Sequence, residues 1–369
     1  MTATEAKIDL TVANPDVVAK YKTAGDISAR VLEQVKALCV EGTKIYDICV
    51  KGDELLVAET NKIFKGKNIS KGIAFPTAIS PNNICAHLSP LPTDEEASIE
   101  LKSGDVLKIS LGAQIDGYAS ILADTIVVSS VVSPRVADAI SAAWYASEAA
   151  IRTVKPGNKN WDVTNIVDKI AAAYECKPAE GMLSTQQTRN NLDEGKQIIL
   201  NPSEDQKKGH ETFTFEEGEV YGVDILISTS DGKVKPGNTR TSIYKKTDKT
   251  YQLKLKTSRL IFSEVQKKAG AFPFVITSLD DPKKARMGLQ ECQSHSLVIP
   301  YAVVEEKEGE VITQFFTTVA LTKNGTVKLA GPIAPNFDVI KSDKKITDQQ
   351  ILDVLAQPLK TKKAKKTTA

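Results

Sequence analysis

The sequence predicts an α+β protein made of two related halves, and three observations carry that prediction. Several stretches repeat apolar residues at three- and four-residue steps, the period of a half-buried helix. Others are short runs of branched and aromatic residues, which suit strands joined as antiparallel hairpins. The third observation is an internal match. Gly104-Asp105-Val106-Leu107-Lys108-Ile109-Ser110 aligns with Gly218-Glu219-Val220-Tyr221-Gly222-Val223-Asp224, 114 residues later. An Asp-Gly turn signal follows each copy, at Asp116-Gly117 and Asp231-Gly232. Upstream, Val40-Glu41-Gly42 to Ile48 echoes Val154-Lys155-Pro156 to Val163 at nearly the same offset. Helices followed by antiparallel strands, twice over, make the α+β class.

Taken in order, residues 1–20 read as a flexible N-terminal segment. Tyr21 to Val40 places Ile27, Val31, Val35 and Leu38 on one helical stripe. Ser133-Pro134 opens a second helix, with a capping hydroxyl before a proline at the first helical position; it is expected to run to about Val154. A third follows Asn160 and carries Val163, Ile166, Val167 and Ile170. Strands are expected at Val106–Leu111, Thr125–Val128, Val220–Ile227, Leu297–Val304 and Val311–Leu321. The segment 250–296 interrupts the second half with helical stretches of its own, one around Leu260, Ile261 and Val265 and one at Lys283–Gln290 after Pro282. Residues 21–249 and 297–345 then form one body, and 346–369 a last helix with a lysine-rich tail.

The net charge of +2 hides a marked asymmetry. Lys245 to Gln290 carries +7 and Lys360 to Ala369 carries +5, which leaves −10 on the rest. An acidic body with two basic appendages suits a protein that meets a polyanion through particular surfaces. In the insert the phosphate-contacting candidates are Lys254, Lys256, Arg259, Lys267, Lys268, Lys283, Lys284 and Arg286; in the tail they are Lys360, Lys362, Lys363, Lys365 and Lys366. Few aromatics interleave with them, so shape and backbone recognition of a duplex fits better than stacking on single strands. For the tail, a solubilising end and a nucleic-acid or import signal both stay open. No apolar run reaches the roughly eighteen residues of a spanning helix, so no membrane partner is expected. Five scattered cysteines without CxxC spacing suit free thiols in a reducing compartment. No glycine-rich phosphate loop is present, and no cofactor is expected. Ser294, His295 and Ser296 lack a nucleophile elbow and do not read as a serine–histidine pair.

The runs GIAFPTAISPNNICAHLSP (Gly72–Pro90) and GDVLKISLG (Gly104–Gly112) resemble the core of the type 2 methionine aminopeptidases. That resemblance implies a pseudo-two-fold pita-bread fold with a helical insert, and an ancestral site in which five side chains hold two metal ions. The corresponding positions here are Ser110, Ile121, Met182, Asp224 and Phe316, with Asp124 close to the second. His87 corresponds to the substrate-side histidine. A hydroxyl, a thioether and two hydrocarbon groups cannot hold a hard cation pair, so loss of metal and of catalysis is expected. The alternative is an aminopeptidase with relocated ligands.

KGIAFPTAIS (Lys71–Ser80), VKPGN (Val154–Asn158), EGMLS (Glu180–Ser184), KTSR (Lys256–Arg259), FSEV (Phe262–Val265) and KKARMG (Lys283–Gly288) narrow the resemblance. They are similar to the proliferation-associated and ErbB-receptor-binding proteins, with the fungal curved-DNA-binding protein among them, from about Tyr21 onward. Members of that group can keep an aspartate where this chain has Ser110. The group implies binding to structured ribosomal RNA and the large ribosomal subunit, and to curved double-stranded DNA. It also implies contact with nascent chains or other proteins, work in ribosome biogenesis, translation and growth control, and a cytoplasmic, nuclear and nucleolar location.

Overall fold

In the first half, helix α1 (Pro15–Leu38) starts where the Asn14 side chain accepts the Asp16 N–H and Pro15 takes a position that needs no donor. The computed structural model describes residues 9–66, 68–128 and 131–359; the tail lysines Lys360, Lys362, Lys363, Lys365 and Lys366 lie outside them. α1 begins six residues before the expected Tyr21. Val12 and Val17, expected in a flexible segment, are buried with Tyr21, Tyr118 and Val220. Burying these two side chains contributes roughly 1.5–3 kcal/mol each toward ordering the segment. Helix α2 (Ile45–Lys62) packs on strand β1 (Lys71–Pro81) so closely that a side chain at Gly52 would strike Thr77. After β2 (Ile84–Ala86), β3 (Val106–Ile115) and β4 (Tyr118–Val127) form a hairpin. Its two turn residues, Asp116 and Gly117, have φ of 55° and 83°, the left-handed pair that matches the twist of a tight hairpin.

The second half repeats the plan. Helix α3 (Pro134–Thr153) is capped by Ser133, whose hydroxyl accepts the Val136 N–H, and α4 (Asn160–Ala173) follows. Then come β5 (Lys177–Pro178), the hairpin β6 (Leu183–Thr188) and β7 (Asn191–Ile199), the short α5 (Glu204–Gly209), β8 (Val220–Ser228) and β9 (Lys235–Pro236). β3 and β8 carry the two copies of the repeat.

Strand β10 (Ile243–Lys246), helix α6 (Lys256–Lys268), β11 (Phe274–Val275), helix α7 (Pro282–Ser294) and β12 (Val298–Pro300) build the insert, with β10 central in a three-stranded sheet. The expected strand at Leu297–Val304 is therefore broken. Val298–Pro300 pairs with β10, whereas β13 (Val304–Glu305) joins β2 and β9 in another sheet. The chain returns through β14 (Ile312–Thr322) and β15 (Gly325–Ala330), then runs over the second half to α8 (Gln349–Ala356).

One nine-stranded sheet spans both halves in the order β1-β3-β4-β14-β8-β6-β7, with β15 on β14 and β5 on β8. α1 and α2 cover one face of the first half, and α3, α4 and α8 the second. The halves meet at β4 and β14, where Ala123 opposite Phe316 is the registered pair. On either side of it a buried threonine hydroxyl enters the ladder. Thr318 Oγ1 accepts the Ile121 N–H (3.1 Å) and donates to the Ile121 carbonyl (2.7 Å). Thr125 Oγ1 accepts the Gln314 N–H (2.7 Å) and donates to the Gln314 carbonyl (2.8 Å). The two arrangements are symmetric about the seam, and each satisfies a buried backbone pair that would otherwise lie unpaired.

Candidate functional site

Strand alternation decides which side chains face the helices and which face the insert. On β3, Leu107, Ile109 and Leu111 enter the helical core, so Lys108, Ser110 and Gly112 turn the other way. The register then sets Ser110, Ala123, Phe316 and Asp224 in one line across β3, β4, β14 and β8. Above this line is a cavity of about 350 Å³, walled by Ser110, Ile121, Met182, Asp224, Phe316 and His87 among others. All six residues singled out from the sequence thus meet in one place. Asp124 does not: three residues beyond Ile121 on an extended strand, it faces away and pairs with Lys36 at 2.8 Å.

Asp224 is held by the Gln314 amide, which donates to both carboxylate oxygens at 2.8 and 3.0 Å. Burial outweighs those bonds and pushes its pKa up to about 7. Beneath, Lys108 is 1% exposed and donates to the Asn82 carbonyl at 2.6 Å; desolvation pulls its ammonium down to about 7. His87 sits at φ 69° with Nδ1 3.1 Å from the Ala302 carbonyl oxygen. A carbonyl only accepts, so Nδ1 carries the proton, and burial lowers the imidazole pKa. Burial favours the neutral ring, in which Nε2 is an acceptor with no partner among the described residues. At the rim, Asp193 pairs with Lys245 of β10 and ties the insert to the β6–β7 hairpin. Phe75, Tyr301, Gln187 and Gln314, which the sequence alone does not single out, also line the cavity. Phe75 lies within the Lys71–Ser80 run that carries the family resemblance, and Gln314 two residues before Phe316; Tyr301 and Gln187 carry no local signal.

The set does not suit the metal pair that the ancestral site would hold. Asp224 is the one carboxylate among the five positions, and its two oxygens accept from Gln314. Ile121 and Phe316 offer no donor atom, and a methionine thioether is too soft for a hard cation. Among the described residues no group of three His, Cys, Asp or Glu side chains is placed to bind a metal elsewhere.

The second candidate surface is the insert. Ser258, Ile261 and Val265 of α6 and Ala285, Gly288, Leu289 and Cys292 of α7 are turned inward, which leaves the lysines and arginines outside. Neighbours neutralise some of these. Lys268 pairs with Glu264 and Asp280, and Lys284 with Asp281. Arg259 donates to the carbonyls of Leu253 and Lys254, both at 2.9 Å, and so braces the preceding loop. The side chains of Lys254, Lys256, Lys267, Lys283 and Arg286 are exposed and form no ion pair among the described residues. His295, expected to be inert, stacks on Tyr251 at 3.6 Å. His210 is half-buried, with Nε2 2.7 Å from the Gln197 carbonyl oxygen. The five cysteines are buried and free, and no described helix is long and apolar enough to cross a membrane.

The model of metallopeptidase family M24 matches residues 19–238. The chain is 54% identical to the curved DNA-binding protein of Schizosaccharomyces pombe over 98% of this chain and 95% of that protein. It is 41% identical to an ErbB-3-binding protein 1 of Solanum tuberosum over 97% of this chain and 92% of that one. A solved thermophilic Arx1 superposes with a TM-score of 0.90 at 38% identity, covering 94% of this chain and all of that chain. The architecture is the pita-bread fold, as the resemblance implied. With its two halves, inserted module and full-length likeness to the curved DNA-binding and ErbB-3-binding proteins, the chain belongs to metallopeptidase family M24.

Proposed function

We propose that this chain is a non-catalytic M24 protein that binds structured RNA on the large ribosomal subunit through the insert, in support of ribosome biogenesis, translation and growth control. One observation carries the reading: the outer faces of α6 and α7 present Lys256, Lys267, Lys283 and Arg286 without ion pairs among the described residues. Such cations release counterions when they meet phosphates, so affinity falls steeply with salt. Helices with few flanking aromatics suit an RNA duplex read by its shape. The donor chemistry at Ser110, Ile121, Met182 and Phe316 supports the loss of hydrolysis. The reading puts the protein in the cytoplasm and nucleolus, which imaging of a tagged chain checks, with nascent chains or other proteins as further partners.

The experiment is a salt titration of binding to ribosomal RNA duplexes and large subunits. Changing Lys256, Lys267, Lys283 and Arg286 to Glu should abolish subunit co-sedimentation and flatten the salt slope by about 0.7–0.9 for each phosphate no longer neutralised. Unchanged affinity in a folded quadruple variant would sink the reading. Curved double-stranded DNA is the second reading, favoured by the name of the 54%-identical relative. Direct competition between the two nucleic acids ranks them. Metal analysis of purified protein is expected to find no stoichiometric divalent ion; two equivalents together with release of methionine from peptides would revive the aminopeptidase.

A further inference from the structure

The cavity has features that polyanion binding leaves unused. Three rings cluster in its wall. Phe75, His87 and Tyr301 meet pairwise with centroids 5.2 to 5.9 Å apart, and Tyr301 stands near perpendicular to both others, at 83° and 82°. Phe316 adds a fourth ring. Among the polar groups beside them are the acceptors of Asp224 and His87. Among the described residues the Asp224 carboxylate receives only the Gln314 amide, and His87 Nε2 has no partner while Nδ1 serves Ala302. Among the described residues no lysine or arginine lines the cavity.

Aromatic faces attract a cation, most strongly when it is desolvated. An anionic ligand would meet a carboxylate and ring faces, while an uncharged apolar one would leave the Asp224 carboxylate without a cation. We propose that the cavity is a binding site for a small alkylammonium ion that retains at least one N–H, its alkyl groups against Phe75, Tyr301 and Phe316 and its N–H toward Asp224. The volume of about 350 Å³ lies at the low end of small-molecule pockets. Leu183, 39% exposed, and the Asp193 side chain, 35% exposed, mark an open mouth. A free amine or a methylated lysine side chain on a peptide could enter there, and the two share this chemistry.

Calorimetric titration of the full chain tests the site. The probes are butyldimethylammonium, butyltrimethylammonium, the uncharged alcohol of matching length, and a peptide bearing one dimethyllysine. Saturable binding of the dimethyl ion is expected. The trimethyl ion, which has no N–H, should bind several-fold more weakly, and the alcohol not measurably. Asp224→Asn keeps the shape and should weaken binding on the order of tenfold or more; Phe316→Leu should weaken it by a smaller factor. If the peptide also saturates the site, the ligand can be protein-borne; if only the free ion does, the ligand is a small molecule. Equal binding of the alcohol, no saturation by either ammonium, or an Asp224→Asn variant that melts normally and binds as well as the parent would each overturn the assignment.

Discussion

At single residues, the structure separates side chains that the sequence presents as equals. Asp224 and Ser110 occupy matched places in the two repeats, yet only Asp224 carries a proton that folding disturbs. Its pKa rises from 3.8 to about 7 because burial disfavours the anion. The native state then binds more protons than the unfolded chain between those values, so stability falls as pH rises through that window. Asp224→Asn should gain on the parent across it, with denaturation midpoints nearly equal at about pH 4 and favouring the variant at about pH 8. A constant difference at all pH values would place the proton elsewhere. Arg259 reads in the sequence as one of eight equivalent phosphate-binding cations, but its bonds to Leu253 and Lys254 make it a brace. Arg259→Ala should cost about 1–3 kcal/mol and speed proteolysis near Leu255, beyond any effect on binding. Residue types at these positions are plain from the chain; that one arginine turns back onto its own loop is not.

Among the elements, those with a clear period are legible in the sequence and those with a competing local signal are not. α3 and α4 follow their expected starts, at Ser133-Pro134 and Asn160. β1 is hidden because Pro76 interrupts a run that would otherwise read as a strand. The structure accepts that proline through register shifts between Ile73 and Phe75 and between Phe75 and Ala78. β6 and β7 are hidden because their sequences, LSTQQT and NLDEGKQII, are polar and lack clean alternation. They pair beside β8, where the hairpin has one partly exposed side. The crossing of α6 and α7 depends on Gly288, where an added Cβ would lie 2.8 Å from Ile261 Cγ1 and 3.3 Å from Ser258 Cα. Gly288→Ala should therefore loosen the insert by about 1–3 kcal/mol. Hydrogen exchange should rise in α6 and α7 and stay unchanged in the main sheet; uniform exchange would mean the insert and body unfold as one.

For the whole molecule, the internal repeat is the most informative feature of the sequence, because two matched segments establish both the pseudo-symmetry and the equivalence of β3 and β8. What lies beyond its reach is the seam, since nothing local marks Thr125 and Thr318 as ladder residues. Thr318→Val and Thr125→Val each leave a backbone N–H and carbonyl unserved, at about 1–3 kcal/mol per change. Because the two hydroxyls flank one joint, the double variant should depart from additivity, which melting of the three proteins reveals. Those hydroxyls also bear on descent. A cleft propped by its own cations would slump as mutation stripped them away, whereas this one is pinned on each side by a group that needs no ion. The walls therefore stand whether or not an ion lies between them, and side chains lining the hollow can change without closing it.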